Sequence, residues 1–219
     1  MKALVFNGPR DVRYESYSDP ELATDNSVIV KVERCSICGS DLHMYHGDSI
    51  GNANYSEGVE PFCVGHEFAG EVVEVGKAVY RHKVGQRVLA SGGAPCGRCK
   101  HCLSGHTALC DHWTAFGLSK GLNGGQAEFV NVPMADLTLQ PIPEGVSDEQ
   151  SILLTDAMCT AYFGLTRTSL QPGDAVAVVG LGPIGLIGVE LAFALGASAV
   201  YAIDPVANRR AHAAGLGAV

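Results

Sequence analysis

The sequence predicts an α/β protein with a β-rich first part and a second part built on a parallel sheet. Short apolar runs separated by Gly, Pro and Asn fill the first half, a pattern typical of a barrel or sandwich. After residue 171 the pattern changes to strand, helix, strand, helix, and both strands are continuously apolar. Apolar strands that alternate with helices indicate a parallel sheet covered on both faces.

Composition and charge narrow the function. The chain has 219 residues, 47% hydrophobic and 17% charged, which is ordinary for a globular protein of one large or two small domains. The formal net charge is −8 and no basic run occurs, so a nucleic-acid partner is disfavoured.

The N-terminus and the cysteines predict a cytoplasmic protein. The apolar run Ala3–Phe6 is too short for a signal peptide, and charged residues follow it at once. In a reducing compartment, eight cysteines indicate metal ligands or reactive thiols rather than disulfides. Residues 175–203 are apolar enough to resemble a membrane span, but their glycines divide the stretch into strand, turn, helix and strand.

Individual elements follow from local patterns. Ser27–Glu33 is a predicted strand, and its residues from Val28 onward alternate as in a half-buried strand. Ser147 and Gln150 form a capping box, which predicts a helix from there to about Leu165. The remaining predicted strands of the first half are Lys2–Phe6, Val12–Glu15, Gly70–Gly76, Arg87–Ala90 and Ala127–Val132.

A glycine-rich turn in the second part predicts a dinucleotide site. Gly180-x-Gly182-x-x-Gly185, with Pro183 and Ile184 between the last two glycines, follows an apolar strand and opens a helix. This context places phosphates at the helix N-terminus and disfavours a turn without a ligand.

The acidic residue at the end of the next strand indicates which dinucleotide is bound. Asp204 can accept hydrogen bonds from both ribose hydroxyls and would repel a 2′-phosphate, which favours NAD over NADP. Arg209 and Arg210 follow on the next helix, where they either serve a phosphate or form a solvated face.

Four cysteines lie within 15 residues in the pattern Cys96-x-x-Cys99-x-x-Cys102-x7-Cys110. Four thiolates close a tetrahedral shell around zinc, so the spacing predicts a structural zinc site. An iron–sulfur cluster also takes four thiolates and is the alternative. His101 and His106 lie within the same stretch and are predicted to be bystanders.

A second group of polar residues is scattered. Cys38-Gly39-Ser40-Asp41-Leu42-His43 follows one predicted strand, and Gly65-His66-Glu67 precedes another. Cys38, His66 and a carboxylate could form a three-ligand metal site with one open position, but spacing alone cannot join residues 38 and 66. Cys35 and Cys38 also form a C-x-x-C pair, but a thioredoxin-type pair belongs beside a βαβ unit and these residues lie in the β-rich half.

Taken in order, these motifs resemble the zinc-dependent medium-chain alcohol dehydrogenase family over essentially the whole chain. The resemblance implies a GroES-like catalytic domain over residues 1–157, with a structural-zinc lobe at 91–111. Residues 158–219 would form the N-terminal part of a Rossmann domain. Because family members run to well over 300 residues, a truncated chain is expected.

The resemblance also assigns roles to individual residues. It implies that the catalytic zinc ligands are Cys38, His66 and Asp156, with Cys159 as the rival to Asp156. Glu67 would enter the zinc sphere during ligand exchange, and Asp41 would orient His66. The implied proton relay is Ser40 and His43, and Thr160 would lie beside the nicotinamide. The implied cofactor-binding residues are Thr160, Gly180, Gly182, Pro183, Ile184, Gly185, Asp204 and Arg209.

The expected function is a zinc-dependent oxidoreductase with two zinc ions per chain. It would transfer hydride between an alcohol or polyol (or an aldehyde or ketone) and NAD, as a cytoplasmic homodimer or homotetramer. Asp156 and the segment 124–128 look most like the formaldehyde, secondary-alcohol and polyol branches. The alternatives are a quinone or enoyl reductase, whose zinc-free members lack the Cys38, His66 and four-cysteine set, and a zinc-stabilised interaction module without catalysis.

Overall fold

The computed structural model describes residues 1–49, 55, 60–118 and 121–219. The chain divides into two compact units, Met1–Thr155 and Asp156–Val219. The boundary implied by the family resemblance lies two residues later, between 157 and 158.

Antiparallel sheets dominate the described residues of the first unit. A three-stranded sheet has the order β2-β1-β4, a five-stranded sheet has the order β10-β6-β5-β3-β9, and β7 and β8 form a separate pair. The strands are β1 (Lys2–Gly8), β2 (Asp11–Ser16), β3 (Val28–Cys35), β4 (Phe62–Cys63), β5 (Phe68–Val75), β6 (Arg87–Ala90), β7 (Gly93–Ala94), β8 (Thr114–Ala115), β9 (Phe129–Val132) and β10 (Leu139–Pro141).

The core of this unit lies on the five-stranded sheet. Val28 and Val30 of β3 are fully buried and belong to one apolar cluster with Phe68 and Phe116. Ile29 between them is buried as well, so the predicted alternation is not observed at the start of this strand. The rings of Phe68 and Phe116 pack edge to face at a centroid distance of 5.1 Å. This packing anchors the start of β5, immediately after His66 and Glu67.

Short helices connect these strands. They are α1 (Gly39–His46), α2 (Lys100–Leu103), α3 (Ala135–Thr138) and α4 (Asp148–Ser151), together with 3₁₀ turns at Thr107–Leu109 and Ile152–Leu154. The capping box is confirmed at α4, where the Gln150 backbone N–H donates to Ser147 Oγ at 3.2 Å and the Ser147 backbone N–H donates to Gln150 Oε1 at 3.0 Å.

The single helix predicted from Ser147 to Leu165 is wrong. The segment forms α4, a 3₁₀ turn and, after a break, α5 (Ala157–Thr166). Thr155 Oγ1 donates to the Ile152 carbonyl at 2.7 Å, so a side chain competes with the helical hydrogen-bond ladder. Asp156 then has φ −146° and ψ −68°, outside the helical region.

The second unit confirms the predicted strand–helix–strand–helix order. After α5 come β11 (Ala175–Val179), α6 (Pro183–Ala194), β12 (Ala199–Ile203) and α7 (Ala207–Gly215), with β11 and β12 parallel. Leu181, Val189 and Val200 are fully buried in its core. The prediction that these strands are covered on both faces does not hold within this chain, because Val179 and Ile203 are exposed.

In the part of the chain that the structure describes, no helix has the length and apolarity needed to cross a membrane.

Candidate functional site

Three potential metal ligands converge in the first unit. One ligand atom each of Cys38, His66 and Glu67 lies within 4.8 Å of the others. Cys38 is the N-cap residue of α1, and His66 and Glu67 precede β5, with 4% and 6% of their surfaces exposed. Pairing of β3 with β5 brings the two segments together, since Cys35 lies opposite Phe68 in the register. This long-range pairing joins the motifs that spacing alone could not.

Asp41 and Ser40 surround the imidazole of His66. Asp41 Oδ1 lies 3.3 Å from His66 Nδ1, and both side chains are buried. Ser40 Oγ lies 3.3 Å from His66 Nε2. Asp41 Oδ2 also accepts a hydrogen bond from the Cys38 backbone N–H at 2.9 Å, so one carboxylate reaches both candidate ligands.

The donor set suits a zinc ion. A hydrogen bond with His66 lowers the pKa of the Cys38 thiol, which favours the thiolate that a metal requires. A thiolate, an imidazole and a carboxylate are the ligand types of catalytic zinc sites.

A tight backbone packing places His66. Gly65 has φ +93°, and a Cβ there would lie 2.4 Å from Gln126 Cγ, so only glycine fits. On the facing segment, a Cβ at Gly124 would lie 2.2 Å from the Gly65 carbonyl oxygen. The residues before His66 and the segment 124–126 therefore lie in direct backbone contact.

The two residues of the predicted relay have different surroundings. Ser40 lies against His66, whereas His43 is exposed and its Nδ1 lies 3.1 Å from Asp48 Oδ2. A proton relay through these two residues would begin at the metal-ligand cluster and end at solvent.

The four cysteines of the loop 96–110 form a second cluster. One Sγ of each lies within 4.8 Å of the others. The Sγ of Cys99 is 3.5 Å from Cys102 Sγ and 3.9 Å from Cys110 Sγ. Zinc–sulfur bonds of ~2.3 Å in a tetrahedron require sulfur–sulfur edges of roughly 3.8 Å, so the spacing matches a single four-coordinate ion.

Backbone N–H groups point at these sulfurs. Those of Cys96 and His112 donate to Cys110 Sγ at 3.2 and 3.3 Å. The N–H groups of Cys102 and Asp111 lower the pKa of Cys99 to about 6. Burial raises the pKa of Cys102 to about 12, so a cation is needed to hold all four as thiolates.

The two histidines of this lobe have contacts outside the sulfur group. His101 Nε2 lies 3.7 Å from Asp111 Oδ1, and His106 Nδ1 lies 3.2 Å from Ser104 Oγ. Both surroundings suit the predicted bystander role.

The glycine-rich loop of the second unit has one role for each glycine. Gly180 has φ +90° and makes the turn after β11. A Cβ at Gly185 would lie 1.9 Å from the Gly180 carbonyl oxygen, so α6 can start this close to the strand only with glycine there. A Cβ at Gly182 would meet no described atom within 4 Å, which leaves room beside the N-terminus of α6.

Asp204 links the end of β12 to this loop. Its Oδ2 accepts from the Leu181 backbone N–H at 2.8 Å and its Oδ1 from the Val206 N–H at 2.7 Å. Both bonds lower the pKa of the carboxyl group, and Arg209 Nη1 lies 3.5 Å from Oδ2. Arg210 instead donates to the carbonyl oxygens of Asp204 and Pro205, so it holds the backbone.

Asp156 is the first residue of the second unit and precedes α5. Its Oδ1 accepts a hydrogen bond from Thr160 Oγ1 at 2.7 Å. Cys159, its rival as a metal ligand, is an exposed residue.

Comparison with known proteins places this geometry in a family. The model of the alcohol dehydrogenase GroES-like domain matches residues 24–144, more than half of the chain. A medium chain reductase/dehydrogenase of Acremonium sp is 40% identical over 224 residues, which cover 100% of this chain and 74% of that protein. Zinc-type alcohol dehydrogenase B of Aspergillus flavus is 34% identical, over 100% of this chain and 50% of its own length. The chain belongs to the zinc-dependent medium-chain alcohol dehydrogenase family.

A solved structure confirms the fold of this chain. Alcohol dehydrogenase TADH from Thermus sp. ATN1 superposes with a TM-score of 0.93 at 37% identity, over 100% of this chain and 62% of that one. The predicted fold class, a GroES-like part followed by part of a Rossmann domain, is confirmed. The chain spans between half and three quarters of the length of these relatives.

Sequence reasoning missed two polar residues beside the Cys38, His66 and Glu67 cluster. Ser36 Oγ donates to the Glu67 carboxylate, and Gln126 Nε2 donates to the Ser36 carbonyl at 3.0 Å. The signal that could have identified Ser36 is its position, since it is a polar residue two places before Cys38. Gln126 belongs to the segment 124–128, whose sequence indicates a resemblance to the formaldehyde, secondary-alcohol and polyol branches but no contact with Ser36.

The two loop glycines allow a matched test. Gly185→Ala forces the α6 N-terminus away from Gly180, so we expect a lower Tm, by about 2–4 °C for each kcal/mol lost, and loss of NAD binding. Gly182→Ala makes no internal clash, so the Tm should stay and only NAD binding should weaken. Thermal melts and calorimetric titration of NAD measure both effects. Equal melting temperatures for the two variants would contradict this division of roles.

Proposed function

We propose that the chain carries the zinc site and the NAD-phosphate site of an oxidoreductase that transfers hydride between an alcohol or polyol, or the corresponding carbonyl compound, and NAD. The observation that supports it is the convergence of Cys38, His66 and Glu67, in a chain that also carries the strand–glycine loop–helix turn. When bound, zinc supplies Lewis acidity that lowers the pKa of an alcohol oxygen.

The proposed ligands of the catalytic zinc are Cys38, His66 and Asp156. Asp156 is preferred to Cys159 because Thr160 orients its carboxylate at the break before α5. Asp41 orients His66 through Nδ1, and Glu67 is the fourth potential donor. Thr160 is proposed to lie beside the nicotinamide, at the start of α5.

We assign the second zinc to Cys96, Cys99, Cys102 and Cys110. Sulfur–sulfur distances of 3.5 and 3.9 Å support one ion. An iron–sulfur cluster places several iron and sulfide atoms between the thiolates and needs more space.

The chain's own residues would move the proton. Ser40 Oγ takes the proton of the alcohol hydroxyl and releases its own proton toward His43. His43 then passes a proton to water, since its side chain is exposed at the surface beside Asp48. Asp204 and Arg209 hold the adenosine ribose, and Gly180, Gly182, Pro183, Ile184 and Gly185 form the phosphate turn.

NAD is the proposed cofactor because Asp204 is ionised at neutral pH and would repel a 2′-phosphate. We expect NAD to bind at least about tenfold tighter than NADP, which is a difference in binding free energy of about 1.4 kcal/mol or more. Asp204→Asn should reduce the ratio of NAD affinity to NADP affinity. Asp174→Asn changes a carboxylate just before β11, at the other end of the parallel pair, and should leave this ratio unchanged. Calorimetric titration of each variant with both dinucleotides measures it. Tighter binding of NADP to the unmodified chain would overturn the choice.

The substrate, the cellular location and the oligomeric state are proposed as broad classes. A polyol, a secondary alcohol or formaldehyde is favoured, in a cytoplasmic homodimer or homotetramer. All eight cysteines lie among the described residues and none forms a disulfide, which supports a reducing compartment. A substrate panel with NAD tests the activity. A protein that keeps its zinc but binds no NAD would instead be the zinc-stabilised interaction module.

A further inference from the structure

Ser36 lies between β3 and Cys38 and has no part in the proposed proton path. Its Oγ donates to Oε2 of Glu67. Its backbone N–H donates to the Glu67 carbonyl oxygen at 3.1 Å. One residue therefore binds both the side chain and the main chain of Glu67.

Ser36 is itself held in place. Its carbonyl accepts from Gln126 Nε2 at 3.0 Å, and Gln126 is 8% exposed. The Gln126 backbone N–H donates in turn to the Val64 carbonyl at 2.9 Å. These bonds hold the backbone of Ser36 in place, within reach of the Glu67 carboxylate.

The Glu67 carboxylate thus has two competing partners. It offers a ligand atom within 4.8 Å of those of Cys38 and His66, and it accepts the Ser36 hydrogen bond. The Ser36 hydrogen bond fixes where this carboxylate lies, and closer approach of Glu67 to a cation would leave the Ser36 hydroxyl without this partner. We propose that Ser36 is a positioning residue that holds Glu67 back from the metal and so keeps one coordination position open for water or substrate. This inference rests on the proposed function, because it requires an ion at Cys38 and His66.

The test uses the full chain with Co²⁺ loaded at this cluster, because its visible spectrum reports coordination and the binding of added ligands. Imidazole is the probe for the open position. Ser36→Ala should bind imidazole about tenfold more weakly, the size expected for one hydrogen bond to a charged group, with unchanged cobalt content. Ser36→Thr keeps the hydroxyl and should keep the affinity.

Two controls separate positioning from general damage. In a Glu67→Gln background, Ser36→Ala should have no further effect, because the amide competes poorly for a cation. Ser198→Ala removes a hydroxyl that donates to the Gly173 carbonyl at 2.7 Å in the second unit, and imidazole binding should not change. Ser36→Gly serves if Ser36→Ala does not fold.

The outcomes are distinct. Unchanged imidazole affinity in cobalt-loaded Ser36→Ala overturns the role of Ser36 and leaves the proposed function standing. Failure of the unmodified chain to bind cobalt through Cys38 and His66 overturns both the role of Ser36 and the proposed function. A tenfold loss that persists in the Glu67→Gln background also overturns the role, since the effect would then not pass through Glu67.

Discussion

Replacing Cys38 with serine is expected to remove one of two zinc ions per chain and to abolish dehydrogenase activity in the complete protein. The Cys38 thiolate is one of only a few protein ligands of the proposed catalytic ion, and a serine hydroxyl is a poor zinc ligand at neutral pH. The four-thiolate site should keep its ion, because none of its ligands is touched. Elemental analysis of the purified variant measures the metal count, and NAD reduction measures activity.

The matched control for this experiment is Cys35→Ser. Cys35 is exposed at the end of β3, three residues from Cys38, and is not a member of the metal-ligand cluster. It should keep two zinc ions and full activity. Loss of both ions from Cys38→Ser, or of neither, would contradict the assignment of two independent sites.

Among the substitutions proposed for this chain, replacing Cys99 with serine is expected to cause the largest fall in the free energy of unfolding. Cys99 Sγ contacts two other sulfurs of the lobe, and the residue is the N-cap of α2. Structural zinc contributes ~10–16 kcal/mol of apparent binding free energy in small zinc domains. Even a loss of about 4 kcal/mol corresponds to a fall in Tm of roughly 8–16 °C for a chain of this size.

Calorimetry and zinc analysis measure this second effect. His106→Asn changes a residue of the same lobe whose imidazole contacts Ser104 instead of the sulfurs, so its Tm and zinc count should match those of the unmodified chain. A strong chelator should lower the Tm of the unmodified chain and add little to Cys99→Ser. A Cys99→Ser variant with two zinc ions and an unchanged Tm would rule out a structural metal in the lobe.

Much of the chain was predictable because its signals are local. The strand before Gly180, the turn and the helix that begins at Pro183 are consecutive in sequence, so glycine spacing and apolar runs predict their arrangement. The four cysteines lie within 15 residues, and their sulfurs lie within 4.8 Å of one another. The residue roles at the catalytic site came from the family resemblance and remain proposals.

What the sequence by itself determined is the set of local units: the strand–helix–strand–helix order of the second unit, the glycine-rich turn and the four-thiol loop. Only the tertiary structure decided that Cys38 and His66 meet, because the register of β3 against β5 depends on side-chain packing between distant segments. It also decided that Ser36 binds Glu67 and that the predicted helix breaks at Asp156. These features depend on hydrogen bonds and packing contacts that form only once the chain is folded, and residue spacing along the sequence does not specify them.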